Sequence, residues 1–208
     1  MNRNLPGDMT EADWTSWNAL IAKIEELIGQ ESLWHTIVFH GTTDHFISDI
    51  IQKGLRPTIV SHARFKDESL IEDQKTFRHY GSFWATAKTA AWYAHSGVTE
   101  RFGYGKPVLV AALTSEFGND FPLMPDKSSA ESPVDPSARI NHRNIAERWF
   151  MDGHQRDWRE AIDDIGAVYA IHHERLPTNM LRVISSMDDL ISILKEKLAL
   201  EIGSSPTR

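Results

Sequence analysis

Apolar and polar positions change period several times along the chain, and each change marks an element. Trp14, Trp17, Leu20, Ile21, Ile24, Leu27 and Ile28 recur at three- and four-residue spacing, the stripe of an amphipathic helix. "TEAD" at Thr10 sets a hydroxyl three residues ahead of an acid, a variant of the capping box. Gly29 reads as the C-cap, so a helix is expected over 10–29. "HTIVF" (35–39) is β-branched and aromatic and reads as a buried strand, ending at His-Gly-Thr-Thr. Thr43 or Asp44 would cap a second helix, with Phe46, Ile47, Ile50 and Ile51 on one apolar face and a stop at Gly54 and Pro57.

The polar stretch 61–79 reads as a long loop. "YGSFWAT" (80–86) is expected to be a strand, with Thr86 capping a short helix through "AKTAAWYAHSG". "GYGKP" (103–107) is a turn into "VLVAAL" (108–113), the clearest central strand, and 118–137 is a proline-rich loop. "ARINHRNIAERWF" and "HQRDWREAIDD" have helical patterning. "AVYAI" (167–171) and "LRVIS" (181–185) read as strands joined by the turn "HHERLPTN". Ser186 would cap a last helix over 187–201, with Leu190, Ile191, Leu194 and Leu198 on one face, before a disordered tail at 203–208. Helices and strands do not alternate strictly, so the order predicts one α+β domain over 1–208, its core about 35–185.

Composition narrows the classes. The chain has 208 residues, enough for one well-packed domain, with 41% hydrophobic and 25% charged residues, as in soluble globular proteins. It has no cysteine, which excludes disulfides, thiolate metal sites and cysteine nucleophiles. A net charge of −7 argues against capture of nucleic acid by bulk electrostatics. No apolar run approaches the ~18 residues of a membrane span, and the first residues lack a signal-peptide core. A cytoplasmic location is expected, or export by a route without a cleavable signal peptide.

Several candidate chemistries fall on spacing. His40 and His45 are five apart, and His172-His173-Glu174 sit together in a turn; neither has the helical i, i+4 spacing of a zinc protease, so no metal site is expected. "GYGKP" precedes a strand, whereas a phosphate loop follows one. Ser61, Ser82 and Ser96 lack the strand–elbow–helix setting of a hydrolase nucleophile.

What remains is a set of motifs in order: "FHGTT" (39–43), "GLRP" (54–57), "YGSFWAT" (80–86) and "AAWYA" (90–94). Together they resemble the ADP-ribosyltransferase superfamily, and within it the diphtheria-toxin and poly(ADP-ribose) polymerase branch with its His, Tyr and Glu signature. "VLVAAL", "PLMPD" and "VYAIHHERLPTNMLRVI" extend the resemblance in outline over about 35–185. It implies an α+β fold with a split antiparallel or mixed sheet, and use of NAD as substrate.

The residue types suit that chemistry. Cleavage of the nicotinamide–ribose bond passes through a cationic ribose, as in glycoside hydrolysis. By the resemblance, His40 would bond the adenosine ribose, and the Gly41 backbone would hold the nicotinamide amide, with Thr42 beside them. Glycine at 41 would allow close approach of the amide. Phe83 stands where the family has Tyr, keeping a stacking ring without its hydroxyl, and Tyr93 would supply a second face. The catalytic carboxylate would be Glu160, which precedes the closing strand, or Glu174, with Asp163 and Asp164 as substitutes. An acceptor-recognising segment would come from 138–160, which carries Arg139, Arg143, Arg148, Arg156 and Arg159.

The expected activity is therefore transfer of ADP-ribose to a macromolecular acceptor, protein or nucleic acid, with no metal. Alternatives are NAD hydrolysis of a toxin-like kind, an RNA 2′-phosphotransferase relative (its arginine set is missing here), and a non-catalytic binding module on the same scaffold. Each residue also has a plain reading: Phe83 and Trp84 as core strand residues, Trp92 and Tyr93 as packing, and the arginines as a solvated helical face.

Overall fold

The computed structural model describes residues 5, 7–57, 81–96, 103–125 and 157–203, with 197–203 by backbone alone. Six strands form one open sheet: β1 (Ile37–Thr43), β2 (Gly81–Ala85), β3 (Pro107–Leu113), β4 (Leu123–Pro125), β5 (Ala167–Ile171) and β6 (Arg182–Ile184). Their order across the sheet is β4-β5-β2-β1-β3-β6, and every pairing is antiparallel. Five α-helices accompany them among the described residues: α1 (Glu11–Gln30), α2 (Asp44–Lys53), α3 (Ala87–Ser96), α4 (Trp158–Ile165) and α5 (Met187–Gly203). The chain is α+β.

Strand alternation divides the core into two layers. On one face, the α3 face, Ile37, Phe39, Ala85, Leu109, Ala111, Leu113 and Ala167 meet Ile21, Ile24 and Ile28 of α1, the alanines of α3, and Leu190 and Ile193 of α5. On the other, the α4 face, Val38, Trp84, Val110, Ala112, Val168 and Ala170 meet Ile50 of α2 and Ala161 and Ile162 of α4.

Local chemistry sets the helix starts. Thr10 and Asp13 form the expected reciprocal box. Ser186 and Asp189 form a second one, each taking the other's backbone N–H. α3 starts at Thr86, whose Oγ1 lies 3.5 Å from the Thr89 N–H. Glu25 of α1 reaches across to accept the Lys88 N–H at 2.7 Å, so a carboxylate from another helix satisfies an orphan donor of α3. Burial raises the pKa of that carboxyl above its ordinary value.

Several expectations are corrected. β1 does not end at Phe39 but runs through His-Gly-Thr-Thr to Thr43, because β3 pairs with it over that whole length. α1 continues past Gly29, whose φ is not positive, and closes at Glu31. On α2, Ile50 is buried but Phe46 and Ile51 are 42% and 56% exposed, so the apolar face is narrower than its pattern. Residues 123–125, expected within a loop, add an edge strand to β5. On α5 the buried partner of Leu190 is Ile193, while Ile191 faces solvent. The turn after β5 holds a bridge from Leu176 to Leu55 and a 3₁₀ turn at Thr178–Met180. The expected loop at 61–79, the helix "ARINHRNIAERWF" and the tail from residue 204 lie outside the described residues. No described helix is long and apolar enough to cross a membrane.

Candidate functional site at the split between β1 and β2

β1 is zipped along one edge and open along the other. Against β3 it forms seven register pairs, from Ile37↔Leu113 to Thr43↔Pro107. Against β2 it forms one, Phe39↔Ala85. Hydrogen bonds flanking the β1–β3 register, Thr114 N–H to the Thr36 carbonyl and Asp44 N–H to the Lys106 carbonyl, show which residues face β3. In an antiparallel ladder alternate residues turn both backbone groups to the same neighbour. The even positions 36 to 44 therefore bond toward β3, and Phe39, Gly41 and Thr43 turn their N–H and C=O toward β2. Extending the Phe39↔Ala85 register would put Phe83 opposite Gly41.

That next rung is missing, and His40 accounts for it. Its Nδ1 lies 2.9 Å from the Phe83 carbonyl, which a continued ladder would have offered to the opposing strand. A carbonyl only accepts, so Nδ1 carries the proton and Nε2 is the acceptor of a neutral ring. Burial lowers the His40 pKa below its ordinary 6.5; the Phe83 bond opposes that shift, and nearby His172 adds to it. The imidazole thus takes the place of a backbone donor, and Gly41 forms no register pair with β2.

On the α3 face the same stretch is packed tightly. A Cβ on Gly41 would overlap the Ala90 carbonyl of α3 and stand 2.9 Å from the Ala94 nitrogen. Glycine is required here by helix-on-strand contact, whether or not a ligand binds. Phe83 and Tyr93 share this face, their ring centroids 4.4 Å apart and tilted by 53°. They form one continuous wall and leave no slot between them for a third ring.

The α4 face holds a polar chain that motif and spacing do not reveal. His172 Nδ1 is 2.6 Å from the Glu174 carbonyl, so that nitrogen donates and Nε2 accepts. Ser82 Oγ–H then donates to Nε2 at 2.8 Å, and Trp84 Nε1–H donates to Ser82 Oγ at 2.8 Å. Burial lowers the His172 pKa as well. Ser82 and His172 are 0% and 1% exposed, so this serine–histidine pair cannot meet a substrate; it holds β2, β5 and the following turn together. Alternation carries the signal for it: Val168, Ala170 and His172 continue one side of β5, which places His172 within reach of Ser82 rather than in a surface turn.

The two carboxylates stand at opposite ends of β5. α4, which carries Glu160, is tied to His35 just before β1 by Asp163 Oδ1 at 2.8 Å and by Trp158 edge-on at 6.0 Å, at the closed end of the β1–β2 pairing. Glu174 follows Ile171, which pairs with Gly81 at the open end. Both glutamates and Asp164 are exposed. Thr42 is buried on His40's face, and its backbone serves β3. Arg159 closes back on Asp157 at 2.9 Å and lies over the Trp158 ring; Arg139 to Arg156 fall outside the described residues. Among the described residues no group of three or more His, Asp or Glu side chains is arranged to hold a metal.

No family model, curated protein or solved structure matches the chain. The functional reading therefore rests on the split itself: a strand edge at Gly41 with no register partner on β2, an imidazole acceptor on the α4 face, and an aromatic wall on the α3 face.

Proposed function

We propose that the protein is an NAD-dependent ADP-ribosyltransferase, with the dinucleotide seated in the β1–β2 split. The observation that carries this reading is the Gly41 backbone turned toward β2 where the two strands form no register pair. A neighbouring N–H and C=O on one strand edge complement a primary carboxamide, which offers one acceptor and one donor. A nicotinamide held there lies against the Phe83–Tyr93 wall, while His40 Nε2 accepts a ribose hydroxyl from the other face. Such fixation makes nicotinamide an oriented leaving group, and a carboxylate beside the ribose would stabilise the developing cation. Of the two candidates Glu174 has the better position, because it follows the open end of the split.

Two observations favour a second reading, a non-catalytic NAD-binding module: both glutamates are exposed, and Phe83 lacks the tyrosyl hydroxyl of the family the chain resembles. Nicotinamide release from NAD separates the two. Wild-type protein is expected to release nicotinamide, faster with a protein or RNA acceptor present. His40→Ala and Glu174→Gln should slow release by about 100-fold or more, with Glu160→Gln near wild type. Release that needs no acceptor would favour hydrolysis as the reaction. NAD binding without any release would establish the module, and no binding at all would overturn the proposal.

A further inference from the structure

We infer that His172 is an acid-released latch on β2: its neutral ring ties the strand to the turn after β5, and a proton on Nε2 breaks that tie and loosens the β2 edge of the split. The latch does not depend on which ligand the split takes. Bond direction carries the inference. Trp84 Nε1–H donates to Ser82 Oγ, and Ser82 O–H donates to His172 Nε2, both at 2.8 Å. His172 Nδ1–H donates to the Glu174 carbonyl at 2.6 Å. Every donor in the chain points the same way, and the last acceptor is a carbonyl, which cannot donate. A second proton on the ring can therefore enter only at Nε2, where it meets a hydroxyl already aimed at that nitrogen. Ser82 would have to turn and accept from both rings, and its own O–H would need a new acceptor. Ser82 is 0% exposed, and its Oγ makes no third hydrogen bond among the described residues, so protonation strands a buried donor.

Among the described residues no carboxylate offsets the new charge. The titratable groups that act on the ring or feel it are His173 beside it and His40 on β1. Glu174 gives the ring its carbonyl, while Arg175 and Lys53 hold Asp49 of α2. On α4, Asp163 is taken by His35, and Glu160 and Asp164 are exposed at the other end of β5. β3 and β4 bring Val110, Ala112 and Leu123 to this face. Burial keeps the His172 pKa below its ordinary 6.5, and a released ring regains that value, so acid favours release. His40 responds differently: its Nδ1 already carries the proton that the Phe83 carbonyl accepts, and a second proton leaves that bond in place. The latch reaches the split because Ser82 precedes Phe83, whose ring forms the wall with Tyr93. The five-pair ladder to β5 keeps β2 in the sheet, and β1 pairs with β2 in register at Ala85 alone, so the Gly81–Phe83 end is the part that loosens.

The test is amide hydrogen exchange at pH 7.5 and 5.5, expressed as protection relative to the intrinsic rate at each pH. Protection in β2 is expected to fall about tenfold over that interval, since opening then draws one proton onto a ring of ordinary pKa. Protection in α1 and β3 should hold. His172→Gln, which keeps a neutral acceptor but cannot titrate, should protect β2 equally at both pH values. A parallel loss in α1 and β3 would be ordinary acid unfolding and overturns the latch. So does β2 protection that is flat in the wild type, or a fall that persists in His172→Gln. If the variant does not fold, nitrogen chemical shifts of the wild-type ring decide. Unprotonated Nε2 at pH 7.5, together with the selective fall in β2, upholds the latch; a proton already on Nε2 at that pH sinks it. None of these readings uses NAD, so the latch and the proposed activity stand or fall separately.

Discussion

The two edges of β1 are made of the same seven residues and behave differently. Toward β3 the ladder runs its full length; toward β2 it stops after Phe39↔Ala85. Intrinsic strand propensity cannot explain this, since both edges share one sequence. The difference is a competition for one acceptor. On the β3 side each carbonyl meets a backbone N–H. On the β2 side the Phe83 carbonyl is taken by the His40 ring, and the next rung is lost. An open strand edge is ordinarily a hazard; here it lies inside the sheet, where the proposed carboxamide contact would be made.

The sharpest way to break this comparison is Gly41→Ala. The new methyl meets the Ala90 backbone, which cannot rotate away as a side chain would. The expected loss is about 3 kcal/mol or more, a fall in melting temperature of roughly 6–12 °C for a chain of this size. A melt within a degree or two of wild type would mean that α3 is not pressed against β1, and the closed picture of that face would fail.

The next effect concerns the chain that braces β2 on its far side. Ser82→Ala leaves the buried Trp84 indole N–H and the His172 acceptor unpaired, a loss of about 2 kcal/mol. Combined with His172→Phe, the loss should fall short of additivity by about 1 kcal/mol, because both changes remove the same bond. Strict additivity in urea unfolding would show that the chain does not act as a unit.

The smallest effect is on pH dependence. His40 and His172 both have pKa values below their ordinary 6.5 because of burial. The unfolded chain therefore binds more protons than the folded one once pH drops toward that value. Their stabilising contribution is fully present above about pH 6.5 and is lost as pH falls toward the folded pKa values, with a slope of at most about 1.4 kcal/mol per pH unit for each ring. Melts between pH 7.5 and 5.5 should show the decline, and His40→Gln should flatten part of it. A profile already flat in the wild type would contradict two imidazoles held neutral by the fold.

Much of the architecture is legible in single segments. The stripe from Trp14 to Ile28, the Thr10–Asp13 and Ser186–Asp189 boxes and Gly54 at φ 87° mark helix bounds through neighbours in the chain. The β-branched runs do the same for β3 and β5, and the aromatic pair Phe83-Trp84 for β2. Boundaries fail where a partner extends an element, as β3 carries β1 to Thr43, or where a neighbour covers one apolar residue and not the next, as with Ile193 and Ile191. In the candidate site, His40, Gly41, Phe83 and Tyr93 stand out by motif and do come together. Gly41, however, is required by α3, and His172 belongs to the core rather than to the surface turn its neighbours suggest.

Periodicity and capping are local: they depend on residues three or four apart, so they can be read from a chain that has not yet folded. The split is not local. His40 and the Phe83 carbonyl are 43 positions apart, Ser82 and His172 are 90 apart, and neither bond exists until the sheet has a register. Which backbone groups are used up and which stay open depends on that register, because a carbonyl satisfied by a side chain is no longer available to the strand beside it.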